Sequence, residues 1–196
     1  MALKEYKRKR NFRKTAEPAG AGKRAHRKDK SVNPVFVVHK HQASRLHYDF
    51  RLEIGGVLKS WAVPKGPSMN PADKRLAVMV EDHPYDYKDF EGTIPEGEYG
   101  AGTVMIWDTG NFQLLDDPAE SLQRGELRFV VNGAKLKGGF VLVQTKLGGK
   151  KENWLLLKSR DEFADSKSDI LVDQPDSAVS GRSLTQIAKD EGHAAD

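Results

Sequence analysis

The sequence predicts a mainly β protein: a small antiparallel β-barrel with short helices and a basic N-terminal arm. Three observations carry that expectation. From Val35 onward the chain runs in short stretches that alternate polar and apolar residues, the period of a half-buried strand. Those stretches are broken at close intervals by Gly, Pro and Asn, including the hairpin pairs Gly55-Gly56 and Asn132-Gly133. Helix signals are confined to Pro118–Arg124, Leu184–Glu191 and a turn or two within residues 2–10.

Residues 1–30 read as the arm, folding partly onto the active site. They carry twelve Lys or Arg against three acids, with few apolar side chains and a Pro-Ala-Gly-Ala-Gly stretch, so little regular structure is expected there. Unless it is simply a solvated tail, such an arm is the electrostatic footprint of a phosphate-backbone partner. Residues 31–160 form the barrel domain, nearly neutral with seventeen basic residues against sixteen acidic ones. Its strand candidates are Phe36-Val37-Val38, the run 47–54, VLKSWAV after Gly55-Gly56, KRLAVMVEDH, GTVMIWDTG, ELRFVVNGAKL, GGFVLVQTKL and NWLLLKSR. Within KRLAVMVEDH, period two places Arg75, Glu81 and His83 on one side of a single strand. Residues 161–196 carry three basic residues against nine acids and read as an acidic, loosely attached tail.

Composition removes several functional classes. The 196-residue chain is 38% hydrophobic, which fits one core plus tails. It contains no Cys, excluding disulfides, thiolate metal sites and Cys nucleophiles. No apolar run has signal-peptide or membrane-spanning length, so a soluble cytoplasmic protein is expected, without a membrane partner.

The chemistry concentrates in HKHQASRLHYDFRLEIGG. Strict alternation over 47–54 puts His47, Asp49, Arg51 and Glu53 on one strand face and Tyr48, Phe50, Leu52 and Ile54 on the other. With His41, the imidazoles and the carboxylate of Asp49 make a nitrogen and oxygen ligand set. That set suits Mn²⁺, Fe²⁺, Zn²⁺ or Co²⁺ and leaves positions open for water and substrate. Arg51, Lys65 and Arg75 would add positive charge, as the non-bridging oxygens of a phosphoester require. His83 is a further ligand, a general acid or a phosphate donor, or else a histidine packed at a strand end. Glu81 can orient a water or a ligand, and Tyr87 can donate to a phosphate oxygen. The Gly-rich EGTIPEGEYGAGTV has neither phosphate-binding-loop pattern, so its glycines read as turn residues. No nucleophilic Ser or Thr arrangement is evident.

HKHQASRLHYDFRLEIGGVLKSWAVPKGPS and KRLAVMVEDHPYDYKDFEGTIPEGEYGAGTVMIWDTG closely resemble the 3′-phosphoesterase domain of bacterial and archaeal DNA ligase D, a domain that also occurs as a stand-alone protein. The likeness runs from about Tyr6 to about Lys158 and includes the arm motif YKRKRNFRKTAEPAG. It implies a small β-barrel that heals DNA 3′ ends during non-homologous end joining. Such an enzyme removes a 3′-terminal ribonucleoside from a primer-template, then hydrolyses the remaining 3′-phosphate to a 3′-hydroxyl. The resemblance implies Mn²⁺, with Co²⁺ or Zn²⁺ as alternatives, held by His41, His47 and Asp49. It assigns phosphate or transition-state contacts to Arg51, His83 and Tyr87, further active-site positions to Lys65, Arg75 and Glu81, and arm residues turned towards the site to Arg10 and Glu17. Separate ligase, polymerase and end-binding repair proteins are the implied partners, on nucleoid DNA. One departure is Asn11, where the family often has Asp; it implies weaker ribonucleoside removal relative to phosphate removal.

Two rival readings use the same residues. A cupin or two-histidine-one-carboxylate Fe²⁺ oxygenase also accounts for the His/Asp cluster, but needs neither the basic arm nor the Arg/Lys surplus. A non-catalytic nucleic-acid-binding barrel calls for aromatic stacking platforms, but Phe36, Tyr48 and Trp61 fit a core at least as well, and this reading leaves the cluster without a purpose.

Overall fold

The computed structural model describes residues 3–20, 34–145, 149 and 152–192. Ten antiparallel strands are present among them: β1 Val35–Gln42, β2 Leu46–Ile54, β3 Val57–Val63, β4 Arg75–Met79, β5 His83–Pro84, β6 Gly92–Ile94, β7 Gly102–Leu114, β8 Glu126–Gly133, β9 Lys137–Gln144 and β10 Asn153–Lys158. Eight close on themselves in the order β1-β2-β3-β4-β10-β9-β8-β7, with β7 returning to β1; β5 and β6 are attached to β3 and β7. The expected barrel is therefore what the chain forms.

Alternation explains the closure. Phe36 and Val38 of β1, Tyr48, Phe50, Leu52 and Ile54 of β2, Trp61 and Val63 of β3, and Met105 and Trp107 of β7 are buried in one apolar cluster, joined by Phe129, Phe140, Trp154 and Leu156. An eight-stranded barrel is just wide enough for side chains to fill, and these large residues fill it. The outward faces of β1, β3 and β7 would then meet water. Instead they carry a second cluster, Val37, Leu58, Val104 and Ile106, covered by Tyr6 with Phe12 from the arm, Tyr87 and Phe90 from the 3₁₀ turn Tyr85–Asp89, and Ile94. In this sector the barrel wall is buried on both sides.

The short helices are α1 Lys4–Arg8, α2 Pro118–Arg124, α3 Ile170–Asp173 and α4 Leu184–Asp190. Asp117 caps α2 through the N–H groups of Ala119 and Glu120, Pro118 opens it and left-handed Gly125 ends it. Ser183 and Gln186 form a reciprocal capping box on α4.

Three expectations need correction. Gly55 and Gly56 do form a tight turn, at φ 64° and 80°. Asn132 and Gly133, however, stay inside β8, and the turn falls on residues 134–136, where Asp108 accepts the N–H groups of Lys135 (3.0 Å) and Leu136 (2.8 Å). Gly133 serves close approach instead: a Cβ there would lie 2.6 Å from both Asp108 Oδ2 and Phe36 Cζ. Secondly, KRLAVMVEDH is not one strand; β4 stops at Met79 and β5 starts at His83. Thirdly, the described part of the acidic tail is packed, with Ile170 and Ile187 in the barrel's apolar cluster and Gln174 O accepting Trp107 Nε1–H at 2.7 Å. Glu91 clamps the same segment by accepting Ser177 Oγ at 2.7 Å and Arg182 Nη2 at 3.1 Å. Arm residues 21–30 lie outside the described residues.

Candidate active site

The site is built on the outer face of the β1–β2 ladder. Register sets His41 opposite His47, and His39 opposite Asp49. Side chains directly opposed across antiparallel strands have Cβ atoms about 5 Å apart. Two consecutive outward-facing pairs thus gather three imidazoles and a carboxylate. His41 Nδ1 lies 3.8 Å from Asp49 Oδ2, His47 Nε2 lies 3.8 Å from Asp49 Oδ1, and one ligand atom of each falls within 4.8 Å of the others.

Hydrogen bonds fix which ring nitrogens are free. His41 Nε2–H donates to Gly100 O (2.9 Å) and His47 Nδ1–H to Arg45 O (3.0 Å). The opposite nitrogens therefore present lone pairs towards Asp49. This is how outer partners prepare a metal ligand. Ligands about 2.1 Å from a common ion stand about 3–4 Å apart, so the donor set and its spacing fit a divalent metal. Burial disfavours charge on Asp49, yet the Arg51 guanidinium beside it holds its carboxyl well below the usual carboxylate range.

Arg51 locks the next layer. It is buried, with Nε donating to His39 Nδ1 (3.1 Å), Nη1 to Ser60 Oγ (2.8 Å) and Nη2 to Asp49 Oδ2 (3.0 Å). Three of its five N–H groups are thereby fixed. His83 follows, its Nδ1–H donating to Glu81 O at 2.9 Å, while Nε2 accepts from Arg10 Nη2 at 3.2 Å. Burial, aided by Arg51 and Arg10, pushes His83 well below its ordinary value, so its ring is neutral. The same forces, burial first and then Arg51, keep His39 neutral.

The arm completes the layer. Arg10 donates to Glu17 Oε1 (2.9 Å) and Glu81 Oε1 (3.1 Å), with its guanidinium 3.9 Å from the centroid of the Tyr6 ring. Lys9 Nζ reaches Glu81 Oε2 at 3.2 Å. Tyr87 packs against His39, His83, Tyr6 and Phe90, with the Arg51 guanidinium 4.9 Å from its centroid. Burial drives its phenol well above the ordinary value, so the hydroxyl stays protonated.

Among the sequence candidates, His41, His47, Asp49, Arg51, His83, Glu81, Tyr87, Arg10 and Glu17 thus meet in one hydrogen-bonded and packed unit. Lys65 and Arg75 do not join it. Lys65 is exposed on a turn whose next residue, Gly66, approaches Tyr48 on the barrel-interior face of β2. Arg75 shares a face with Ala77 of the barrel interior and donates to Asp73 Oδ2 at 2.9 Å. Glu81 receives Arg10 and Lys9, so its carboxylate positions cations. Asn11 is exposed, its Oδ1 accepting Arg13 N–H (3.2 Å) in a turn. Sequence reasoning misses Ser60 and Lys9, and sets His39 aside for want of independent support. His39 shares the parity of His41, which was the available signal.

A family model for the DNA ligase D 3′-phosphoesterase domain matches residues 39–144. The chain is 55% identical over 184 residues to the multifunctional non-homologous end joining protein LigD of Pseudomonas aeruginosa, covering 93% of this chain and 22% of that protein. LigD of Mycolicibacterium smegmatis is 46% identical over 138 residues, 66% of this chain and 17% of that one. The non-homologous end joining DNA repair protein LigD of Mycobacterium tuberculosis is 40% identical over 163 residues, 82% and 20% respectively. The chain therefore spans about a fifth of the length of these relatives, and no helix among its described residues is long and apolar enough to cross a membrane. The match over the barrel, including every residue of the His/His/Asp group, places this chain in the DNA ligase D 3′-phosphoesterase domain family.

Proposed function

We propose that this protein is a metal-dependent phosphoesterase that heals DNA 3′ ends in non-homologous end joining, removing a 3′-terminal ribonucleoside and then the remaining 3′-phosphate to leave a 3′-hydroxyl. Charge balance at the site carries the reading. Three buried or half-buried cations, Lys9, Arg10 and Arg51, are matched by three carboxylates, Glu17, Asp49 and Glu81. A phosphate entering this neutral unit brings negative charge that the side chains alone leave uncompensated. The triad of His41, His47 and Asp49 supplies the place for a divalent cation, Mn²⁺ by family likeness, with Co²⁺ or Zn²⁺ compatible with the same donors. Bound there, such a cation polarises a phosphoryl oxygen and lowers the pKa of a coordinated water.

Each remaining group has a part that follows from its present contacts. Arg51, held on three sides, keeps two N–H groups for non-bridging oxygens. Arg10 supplies a second guanidinium, aimed by Glu17, Glu81 and the lone pair of neutral His83. His83 is thus an acceptor in the free enzyme rather than a stored proton. When Arg10 turns to a phosphate, the His83 Nε2 lone pair becomes free to accept a proton from an attacking water. Tyr87, kept protonated by burial, acts as a donor. An oxygenase has no use for this paired guanidinium layer, and a binding barrel has none for the prepared imidazole lone pairs. Separate ligase, polymerase and end-binding proteins, meeting this one on DNA in the cytoplasm, complete the proposed pathway.

The test is a gel assay with Mn²⁺ on two DNA primer-templates, one ending in a 3′-ribonucleotide and one in a 3′-phosphate, beside His41→Ala. Conversion of both to 3′-hydroxyl ends, abolished in the variant, is the expected result. Tight binding without turnover under several divalent metals would overturn the enzymatic reading.

A further inference from the structure

We infer that Tyr99 is a stacking platform for the base of the 3′-terminal nucleotide, forming a subsite beside the metal-ligand group. On the phosphoesterase reading, on which this subsite depends, the buried side chains all address the phosphate. The attached nucleoside must then lie against the rim.

Tyr99 is the aromatic which that rim exposes. It is 48% exposed, whereas Tyr6, Tyr48, Tyr87 and all three tryptophans are at 4% or below. Among the described residues Phe163 is the other ring so exposed, at 43%, and it lies at Gly138 on β9 rather than on this rim. Its position is set by the backbone. Glu98 N–H to Pro95 O (3.2 Å) and Ala101 N–H to Glu98 O (3.1 Å) fold the segment into successive turns, with Gly97 and Gly100 at φ 80° and 81°. Gly100 O is the acceptor that orients the ligand His41, at 2.9 Å. Consecutive Cα atoms are about 3.8 Å apart, so Tyr99 is anchored one residue from a group that touches the metal site.

The surroundings of the ring suit a nucleotide. Lys9 Nζ lies 4.7 Å from its centroid and donates to its hydroxyl at 3.3 Å, and the Arg10 guanidinium is 5.4 Å away. The adjacent loop exposes Arg45 and Leu46, and the pairing of Gln42 with Thr103 sets the two loops side by side. Cations for the backbone beside an exposed ring for the base are the elements by which single-stranded ends are held. Every base has a π-face, so this subsite grips an end without selecting its sequence.

Steady-state kinetics of wild type, Tyr99→Ala and Tyr99→Trp on a 3′-phosphate primer-template test this, using a normal terminal nucleotide and an abasic tetrahydrofuran one. Tyr99→Ala is expected to raise KM about tenfold on the normal end and by a clearly smaller factor on the abasic end, where only the contact with Lys9 is lost. Tyr99→Trp keeps the wild-type KM. A terminal 2-aminopurine, read with chelator present so that no turnover intervenes, is quenched by wild type and by Tyr99→Trp but not by Tyr99→Ala. Equal KM changes on both ends, or unchanged KM and quenching in Tyr99→Ala, would overturn the subsite. Wild-type quenching without any turnover would overturn the phosphoesterase reading and leave the stacking assignment standing.

Discussion

Replacing Arg10 with Ala removes a cation that two buried carboxylates share. Its contacts to Glu17 and Glu81 are 2.9 and 3.1 Å, and none of the three side chains is more than 6% exposed. Breaking a buried pair from one side costs roughly 3–5 kcal/mol, because the orphaned carboxylates stay desolvated. The anchorage of the arm is of similar size. Tyr6 is fully buried, and an aromatic ring removes about 150–200 Å² from water, which at about 25 cal/mol per Å² contributes ~4–5 kcal/mol. Its hydroxyl bonds Pro18 O at 2.8 Å within the arm itself, and ordering the chain offsets part of the total. The two quantities nearly cancel, so the arm should detach from an intact barrel when Arg10 is lost. Limited trypsin digestion followed by mass spectrometry reads this directly. Cleavage after the basic residues between Lys4 and Lys14 should accelerate on the order of a hundredfold, since a 3 kcal/mol loss multiplies the open population by about that factor. The thermal midpoint of the barrel should move little. Arg10→Met combined with Glu17→Gln and Glu81→Gln should recover part of the protection by removing the charges together. Unchanged cleavage with a midpoint lowered by roughly 10 °C would show that arm and barrel unfold as one unit, and would refute the reasoning.

Further outcomes follow from the same contacts. His39 and His83 are neutral when folded, with values depressed by burial first and Arg51 next, and ordinary near 6.5 when unfolded. Their contribution is complete above that ordinary value; below it unfolding takes up two protons, so stability falls by up to ~2.7 kcal/mol per pH unit, measurable by urea unfolding from pH 7 to 5. His39→Leu leaves Arg51 Nε–H without its acceptor and should cost at least 1–3 kcal/mol and most turnover, while calorimetric titration still detects Mn²⁺ at His41, His47 and Asp49. Gly102→Ala puts a Cβ 2.1 Å from Gln42 O at φ 135°, and should cost about 3 kcal/mol or more in urea while weakening Mn²⁺ binding at neighbouring His41. Asn11→Asp keeps the turn acceptor on an exposed residue, so the ratio of ribonucleoside to phosphate removal should stay within about twofold in the gel assay. A selective gain in ribonucleoside removal would restore the expectation drawn from the family pattern.

What could be read ahead of the structure followed from local rules. β2 alternates strictly because one face fills the barrel and the other forms the site, and Gly55-Gly56 and the α2 caps act within a few residues. Arg75 misled because period two was counted through residues 80–82, where the chain leaves β4 and resumes as β5. Parity survives such a break on paper, but the direction of the side chains does not. Lys65 offered only a turn and a charge, neither of which fixes where an amine points. The outer apolar cluster was invisible for a different reason. Tyr6, Phe12 and Tyr87 belong to an arm and a loop without periodicity, and are buried only by what the barrel wall presents to them. His39 needed the β1–β2 register, since facing Asp49 is what makes it the acceptor for Arg51. Ile170 and Ile187 are isolated apolar residues in acidic surroundings, and only tertiary contact distinguishes them from a solvated tail.

Placing the site outside the barrel separates two demands that conflict inside a core. The interior holds large apolar side chains and keeps the eight strands in register; the ligand positions inherit that rigidity because they alternate with core residues on the same strands. The polar layer can then be charged without compromising the barrel, provided something excludes water from it. The arm and the 3₁₀ turn do so with Tyr6, Phe12, Tyr87 and Phe90, while the same arm delivers Lys9, Arg10 and Glu17. Cover and chemistry thus arrive on one segment. Low local dielectric strengthens the hold of Arg51 on Asp49 only while that segment is docked. Turnover is accordingly expected to require the docked arm, whereas the pairing of His41 with His47 is set by the strands and should persist without it.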